Sequence, residues 1–256
     1  MSKIFKSCMF FICLFLLSCE NSGNEGLSEL VKKVDKILAK QDQIVKSLAL
    51  LQKDIKSNPA KPQANNKPTA DPNKVYNIPI GDSYVKGNKN APITMIKFTD
   101  FQWPYCAKSI SSVDDVLKKY PNDVKLVIKN YPLGFHKQAE KAARYALAAH
   151  KQGRYKDMYH MIFCGTIESV PSDQCKAYGA LKSNEDIPLE YAKQLGLDMN
   201  KFIQDMESPA VAAQVKLEMD QFNNAGFPRR GVPKFLLQGK EVRWTSLMKS
   251  VEDELA

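Results

Sequence analysis

Residues 93 to 129 leave this chain few folds to choose from. Ile93 to Thr99 is rich in β-branched and aromatic residues and is opened by Pro92, so it reads as a strand. A helix is expected from about Pro104 to Tyr120. Pro104 suits a first helical turn, and Pro121-Asn122-Asp123 ends the helix and turns the chain. Val124 to Lys129 follows as a second strand, and a strand-helix-strand unit of this kind pairs its strands in parallel with a right-handed crossover. From Lys137 to Ala225 the pattern becomes helical, Ala-rich from Ala139 to Ala149 and interrupted by Gly153, Pro171, Pro188, Gly196 and Pro209, which implies several short helices. After Gly226, the segment Val232 to Leu237, the turn Gln238-Gly239-Lys240 and Glu241 to Trp244 read as a β-hairpin, and a last helix closes the chain. The expectation is an α/β fold with a helical insertion between its strands.

The turn between the first strand and its helix reads Phe98-Thr99-Asp100-Phe101-Gln102-Trp103-Pro104-Tyr105-Cys106. Thiol-disulfide chemistry uses a C-x-x-C pair at such a turn, because the positive end of the helix stabilises the thiolate of the first cysteine. Here Trp103 holds that first position, Pro104 and Tyr105 lie between, and Cys106 is the residual thiol. Two positions at i and i+3 can close a disulfide only when both carry sulfur, so the redox couple is half missing. An indole offers a large amphipathic face and one N–H donor. Trp103 therefore either anchors a ligand or fills space against the helix, and both readings stand.

Phe98-Thr99-Asp100-Phe101, Pro104-Tyr105-Cys106, Asn130-Tyr131-Pro132-Leu133-Gly134-Phe135-His136 and Gly231-Val232-Pro233 together resemble DsbA-like thiol-disulfide oxidoreductases. The likeness covers roughly residues 76 to 256. It implies a thioredoxin-like fold with an inserted helical subdomain at about 137–226. In that family the exposed nucleophile maps to Trp103 and the second, more buried cysteine to Cys106. The resemblance also implies a cis peptide bond between Val232 and Pro233, with main chain beside it that can pair with an extended peptide by backbone hydrogen bonds alone. The plainer alternative is that Pro233 begins an edge strand.

At the other end, Lys3 and Lys6 precede an apolar run from Cys8 to Leu17, too short to span a bilayer and typical of a signal peptide over residues 1–18. The run ends Leu16-Leu17-Ser18-Cys19, which resembles a bacterial lipobox, so Cys19 is the expected lipidation site and residues 19–26 a tether. The alternative is a plain secretory peptide with an incidental cysteine. Cys8 and Cys13 leave with the signal, which leaves Cys106, Cys164 and Cys175 beyond the anchor. In an oxidising exported setting Cys164 and Cys175 are the expected disulfide, since the loop between them is short, and it would contribute roughly 3 kcal/mol. Pairing of Cys106 with one of those two is the competing arrangement.

From Leu27 the apolar residues fall at Leu27, Leu30, Val34, Ile37, Ile44, Leu48, Leu51 and Ile55, a heptad pattern broken only by Gln41. Residues 27–57 are thus expected to form a coiled-coil helix that joins copies of the chain. Val31, Leu38 and Val45 widen the stripe and favour a trimer or higher order over a dimer. An amphipathic helix folded onto the globular part or the membrane is the alternative. Residues 58–75 hold four prolines and read as an extended linker. Coil and linker could hold the rest of the chain up to roughly 100 Å from a membrane.

The formal charge of +9 falls to +7 once Lys3 and Lys6 leave with the signal, and it is spread along the chain and not gathered in an arm. That favours a basic solvated surface over a nucleic-acid reader. His150 and His160 lie in helical stretches without metal-ligand spacing, so no zinc is expected, and no phosphate loop, serine nucleophile motif or dinucleotide fingerprint calls for a cofactor. His136, in the loop that matches the family's approach to the helical insertion, either sits near the site or, as the first reading, is a cap or surface residue, and Asp100 reads as a helix cap or a carboxylate that tunes Cys106. The function these features favour is binding of extended or unfolded polypeptide by a lipid-anchored protein of the cell envelope, facing the periplasm or cell surface, with oxidoreductase activity lost or much reduced. The rival is a thiol-disulfide oxidoreductase working through Cys106 alone. A third reading is a spacer that binds no peptide.

Overall fold

The computed structural model describes residues 23–57 and 71–256. The expected signal peptide, the lipidation site Cys19, the tether up to residue 22 and the linker up to residue 70 lie outside the described residues. Residues 23–57 and residues 71–256 belong to two separate compact units.

The first unit holds one helix, α1 (Gly23–Ser57). Its heptad residues Leu30, Val34, Ile37, Ile44 and Leu48 are between 47% and 59% exposed, so the apolar stripe stands uncovered. Glu29 and Lys33 pair one turn apart on its surface at 2.8 Å.

The second unit is built on a five-stranded sheet, β1 (Tyr84–Lys86), β2 (Ile93–Thr99), β3 (Val124–Asn130), β4 (Lys234–Leu237) and β5 (Lys240–Val242), in the order β1-β3-β2-β4-β5. β2 and β3 run parallel, from Ile93 opposite Val124 to Thr99 opposite Asn130, and the other pairs are antiparallel. The strand-helix-strand expectation is thus met, and β2 is buried on both faces although Thr94, Lys97 and Thr99 interrupt its apolar residues. The insertion between β3 and β4 carries α4 (Ala139–Lys151), α5 (Tyr155–Cys164), a 3₁₀ turn (Ala177–Lys182), α6 (Ile187–Gln194), α7 (Met199–Glu207) and α8 (Pro209–Asn224). α4 packs against α5, α7 and α8 together. Its buried Ala142, Ala143, Ala146, Ala148 and Ala149 let these neighbours, and α6 as well, approach, since a methyl group keeps backbones close. Asp198 caps α7 by accepting from the amides of Asn200 (3.0 Å) and Lys201 (3.1 Å), and the Ser208 hydroxyl caps α8.

Three details differ from the sequence reading. β1 was not foreseen, because three residues at a sheet edge give no usable alternation. The expected single helix from Pro104 to Tyr120 is two, α2 (Pro104–Lys108) and α3 (Ile110–Lys119), broken at Ser109. The carbonyl of Cys106 accepts from Lys97 Nζ (3.1 Å) and from Ser109 Oγ (2.8 Å), donors that take the place of the next helical amide. The hairpin turn is two residues, not three. Gln238 (φ 48°) and Gly239 (φ 80°) both take left-handed conformations, which a tight hairpin of matching twist requires, so Lys240 already belongs to β5. β4 starts at Lys234, and Trp244 opens a 3₁₀ turn (Trp244–Ser246) ahead of the last helix, α9 (Leu247–Leu255), which packs on α3.

Candidate functional site

The site forms where β2 ends and the antiparallel β4 begins. Phe98 pairs with Lys234, which places Val232-Pro233, the residues directly before β4, next to the end of β2. The Val232-Pro233 bond is cis. Val232 is buried, Pro233 half-buried, and residues 229–232 make no hydrogen bond through their main chain to other described residues. Their N–H and C=O groups are left for another partner.

Trp103 caps the start of α2 in an extended conformation, with Pro104 in the first turn. Its ring meets those of Tyr105 (5.6 Å between centroids), His136 (5.6 Å) and Phe135 (6.2 Å). Tyr105 and Phe135 are exposed at 49% and 68%, while Trp103 and His136 are half-buried and Trp103 also packs against the core, so the cluster is an aromatic surface rooted in the core. Phe135 was not singled out in the sequence, where an aromatic in a loop carries no periodicity to mark it.

Cys106 lies one turn beneath with no exposed surface. Its Sγ accepts from the Asp100 amide at 3.4 Å. Burial pushes the thiol up to about 11, against the opposing pull of Lys97. Lys97, central in β2 and fully buried, is the main residue that the sequence reading missed. A lysine inside a strand covered on both faces was the available signal. Its Nζ donates to Tyr159 Oη (2.7 Å) as well as to the Cys106 carbonyl, and it stands over the rings of Tyr159 and Phe235. Burial brings the amine down to about 8.

Asp100 does not cap the helix, which Trp103 does, but as the other expectation had it the carboxylate tunes Cys106, its charge adding to the burial that raises the thiol. Oδ1 accepts from the Gln102 amide (2.6 Å), while Oδ2 accepts from the Leu133 amide (2.7 Å) and meets His136 Nδ1 at 3.0 Å. The carboxylate thereby ties loop 131–136 to the turn before Trp103. His136 is accordingly a member of the site and not the cap or surface residue expected. Gln102 and Gln138 bond each other twice at 2.9 Å and close the same seam. Behind it, Glu218 of α8 accepts from Ser83 Oγ (2.6 Å) and from both the main-chain (2.7 Å) and side-chain (2.8 Å) nitrogens of Asn130, fixing the end of β3.

The remaining expected residues lie apart from this surface. Cys164 and Cys175 form a disulfide between the end of α5 and the loop that follows, and Cys106 is free. His150 packs edge-on to Tyr84. His160 is buried beside Lys86 and Asp114, and burial lowers it to about 4. A cavity of about 700 Å³ lies there, in which Lys86 and Asp114 pair at 2.5 Å, and it includes neither Trp103 nor Cys106. The exposed aromatic surface is the better candidate, because its polar main chain and its rings are both unspent.

A family profile described as Thioredoxin matches residues 80–254. Among curated proteins the chain is similar to the Na(+)/H(+) antiporter NhaA of Herminiimonas arsenicoxydans, 28% identical over 177 residues, which are 68% of this chain and 26% of that protein. The chain spans about a quarter of the length of the curated relatives it matches. Among solved structures it is similar to a thioredoxin-like oxidoreductase from Silicibacter pomeroyi (28% identity, 68% of this chain and 92% of that one, TM-score 0.54). BdbD from Bacillus subtilis shares the fold at 19% identity, over 71% of this chain and 97% of that one, with a TM-score of 0.56.

Proposed function

The chain belongs to the thioredoxin family, and from that premise we propose that it binds extended or unfolded polypeptide beside Pro233, with disulfide oxidoreductase activity lost or much reduced. The observation that carries this reading is the pairing of Trp103 at the mouth of α2 with a Cys106 that has no exposed surface. Exchange needs a thiolate that a substrate disulfide can reach. With its thiol up at about 11, Cys106 holds on the order of one thiolate in ten thousand at neutral pH. Peptide capture needs no sulfur: the unpaired main chain of residues 229–232 can add a strand, and the rings around Trp103 can seat a side chain.

The reading extends to the rest of the chain. Lipid at Cys19 would hold the protein on a bacterial membrane, on its exported side, and α1 would join copies through its uncovered stripe. Several peptide sites on one assembly raise avidity through effective concentration. The test is suppression of aggregation of an unfolded model client by the purified chain. Wild type and Cys106→Ser are expected to suppress equally, and loss of suppression in Cys106→Ser contradicts the proposal.

A further inference from the structure

Around the aromatic surface the charge is of one sign. Lys108 ends α2 and stands over the Tyr105 ring, 5.3 Å from its centroid. Lys137 follows His136 directly, and Arg229 and Arg230 lead into Val232-Pro233. All four are exposed, and among the described residues none has a carboxylate within 4.0 Å. Elsewhere on the same unit basic side chains do find acids: Lys119 pairs with Glu252, Lys141 with Glu185, Lys249 with Asp253. Asp100, whose carboxylate meets the His136 ring, is buried and already engaged by two amides and that ring. Four unpaired cations, an exposed aromatic face and free main-chain groups thus meet at one end of the sheet.

From this juxtaposition we propose that the site selects extended peptides in which acidic residues flank an apolar or aromatic side chain, a substrate class that rests on the peptide-binding reading above. The ring of the anchor packs against Trp103 and Phe135, and the flanking carboxylates lie against the lysines on one side and the arginines on the other. Exposed charges of this kind act mainly through long-range attraction, so the preference is salt-sensitive. A bare lipid surface could use the rings and cations but would have no use for the unpaired main chain beside Pro233, which favours a peptide.

The experiment is fluorescence anisotropy of labelled Gly/Ser peptides carrying one Phe flanked by Glu, Gln or Lys, titrated with the full chain. The Glu peptide is expected to bind roughly tenfold tighter than the Gln peptide, and the Lys peptide weakest, with most of the spread gone at high salt. Arg229→Ser with Arg230→Ser, and Lys108→Gln with Lys137→Gln, are each expected to reduce the Glu-to-Gln ratio to about threefold. Equal binding of the three peptides overturns the acidic preference and leaves peptide binding standing. Absence of binding to all three overturns both. Vesicles of phosphatidylglycerol and phosphatidylcholine form the last arm: capture that depends on the same four cations, with no ranking among the peptides, assigns the patch to lipid and overturns the proposal.

Discussion

Beneath Trp103 a lysine amine and a cysteine thiol share one dry space, and burial reverses the order in which they lose protons. Lys97 comes down to about 8 and Cys106 goes up to about 11. Between pH 8 and the thiol's ordinary 9, the unfolded chain keeps its lysine protonated while the folded one releases that proton. The unfolded state then binds more protons, so stability rises with pH, by about 1 kcal/mol over that interval. Above pH 9 the unfolded thiol ionises while the folded thiol stays neutral, and this opposite contribution cancels the gain. Urea midpoints are therefore expected to climb from pH 8 to 9 and then level in wild type, to go on climbing toward 10.5 in Cys106→Ala, and to lose the climb in Lys97→Met. A fall from pH 8 to 9 in Cys106→Ala contradicts this account of Lys97. At this scale the sequence told only part of the site. The spacing of Trp103 and Cys106 is local and could be read directly. Lys97 to Tyr159 and Asp100 to His136 are contacts between residues far apart in the chain, and no pattern in either segment announces them.

The elements were more legible than their junctions. β2, β3 and the outer limits of α2 and α3 followed from β-branched runs and from Pro104 and Pro121 at either end of the helical stretch, because those signals act within a few residues. The break at Ser109 was not legible, since it depends on an amine arriving from β2. Gly239 shows how tightly one turn can be specified. A Cβ there would lie 3.0 Å from the Tyr76 carbonyl and 2.8 Å from Val75 Cγ1, at a φ of 80° that other residues resist. Gly239→Val is expected to cost about 2–3 kcal/mol in urea unfolding, and a cost below about 0.5 kcal/mol contradicts the crowding argument. For α1, the uncovered stripe leads to a different expectation. Light scattering of the wild-type chain should report a trimer or higher assembly, and Ile37→Glu with Ile44→Glu a monomer, because a charge at a heptad core position opposes packing. A wild-type monomer removes self-association from the account.

Across the whole molecule, the parts answer to different demands. The thioredoxin unit holds a five-stranded sheet, a buried Glu218 network and a disulfide, and Trp103 stands at the start of α2. The chain spans only about a quarter of the antiporters it matches. No helix among the described residues is long and apolar enough to cross a membrane. The most direct measurement is a paired assay of wild type and Trp103→Cys in the reduction or oxidation of a model disulfide protein. Near-background turnover in wild type with a clear gain in Trp103→Cys is the expected result. Wild-type turnover equal to that of Trp103→Cys would contradict the claim that this site holds polypeptide without exchanging disulfides.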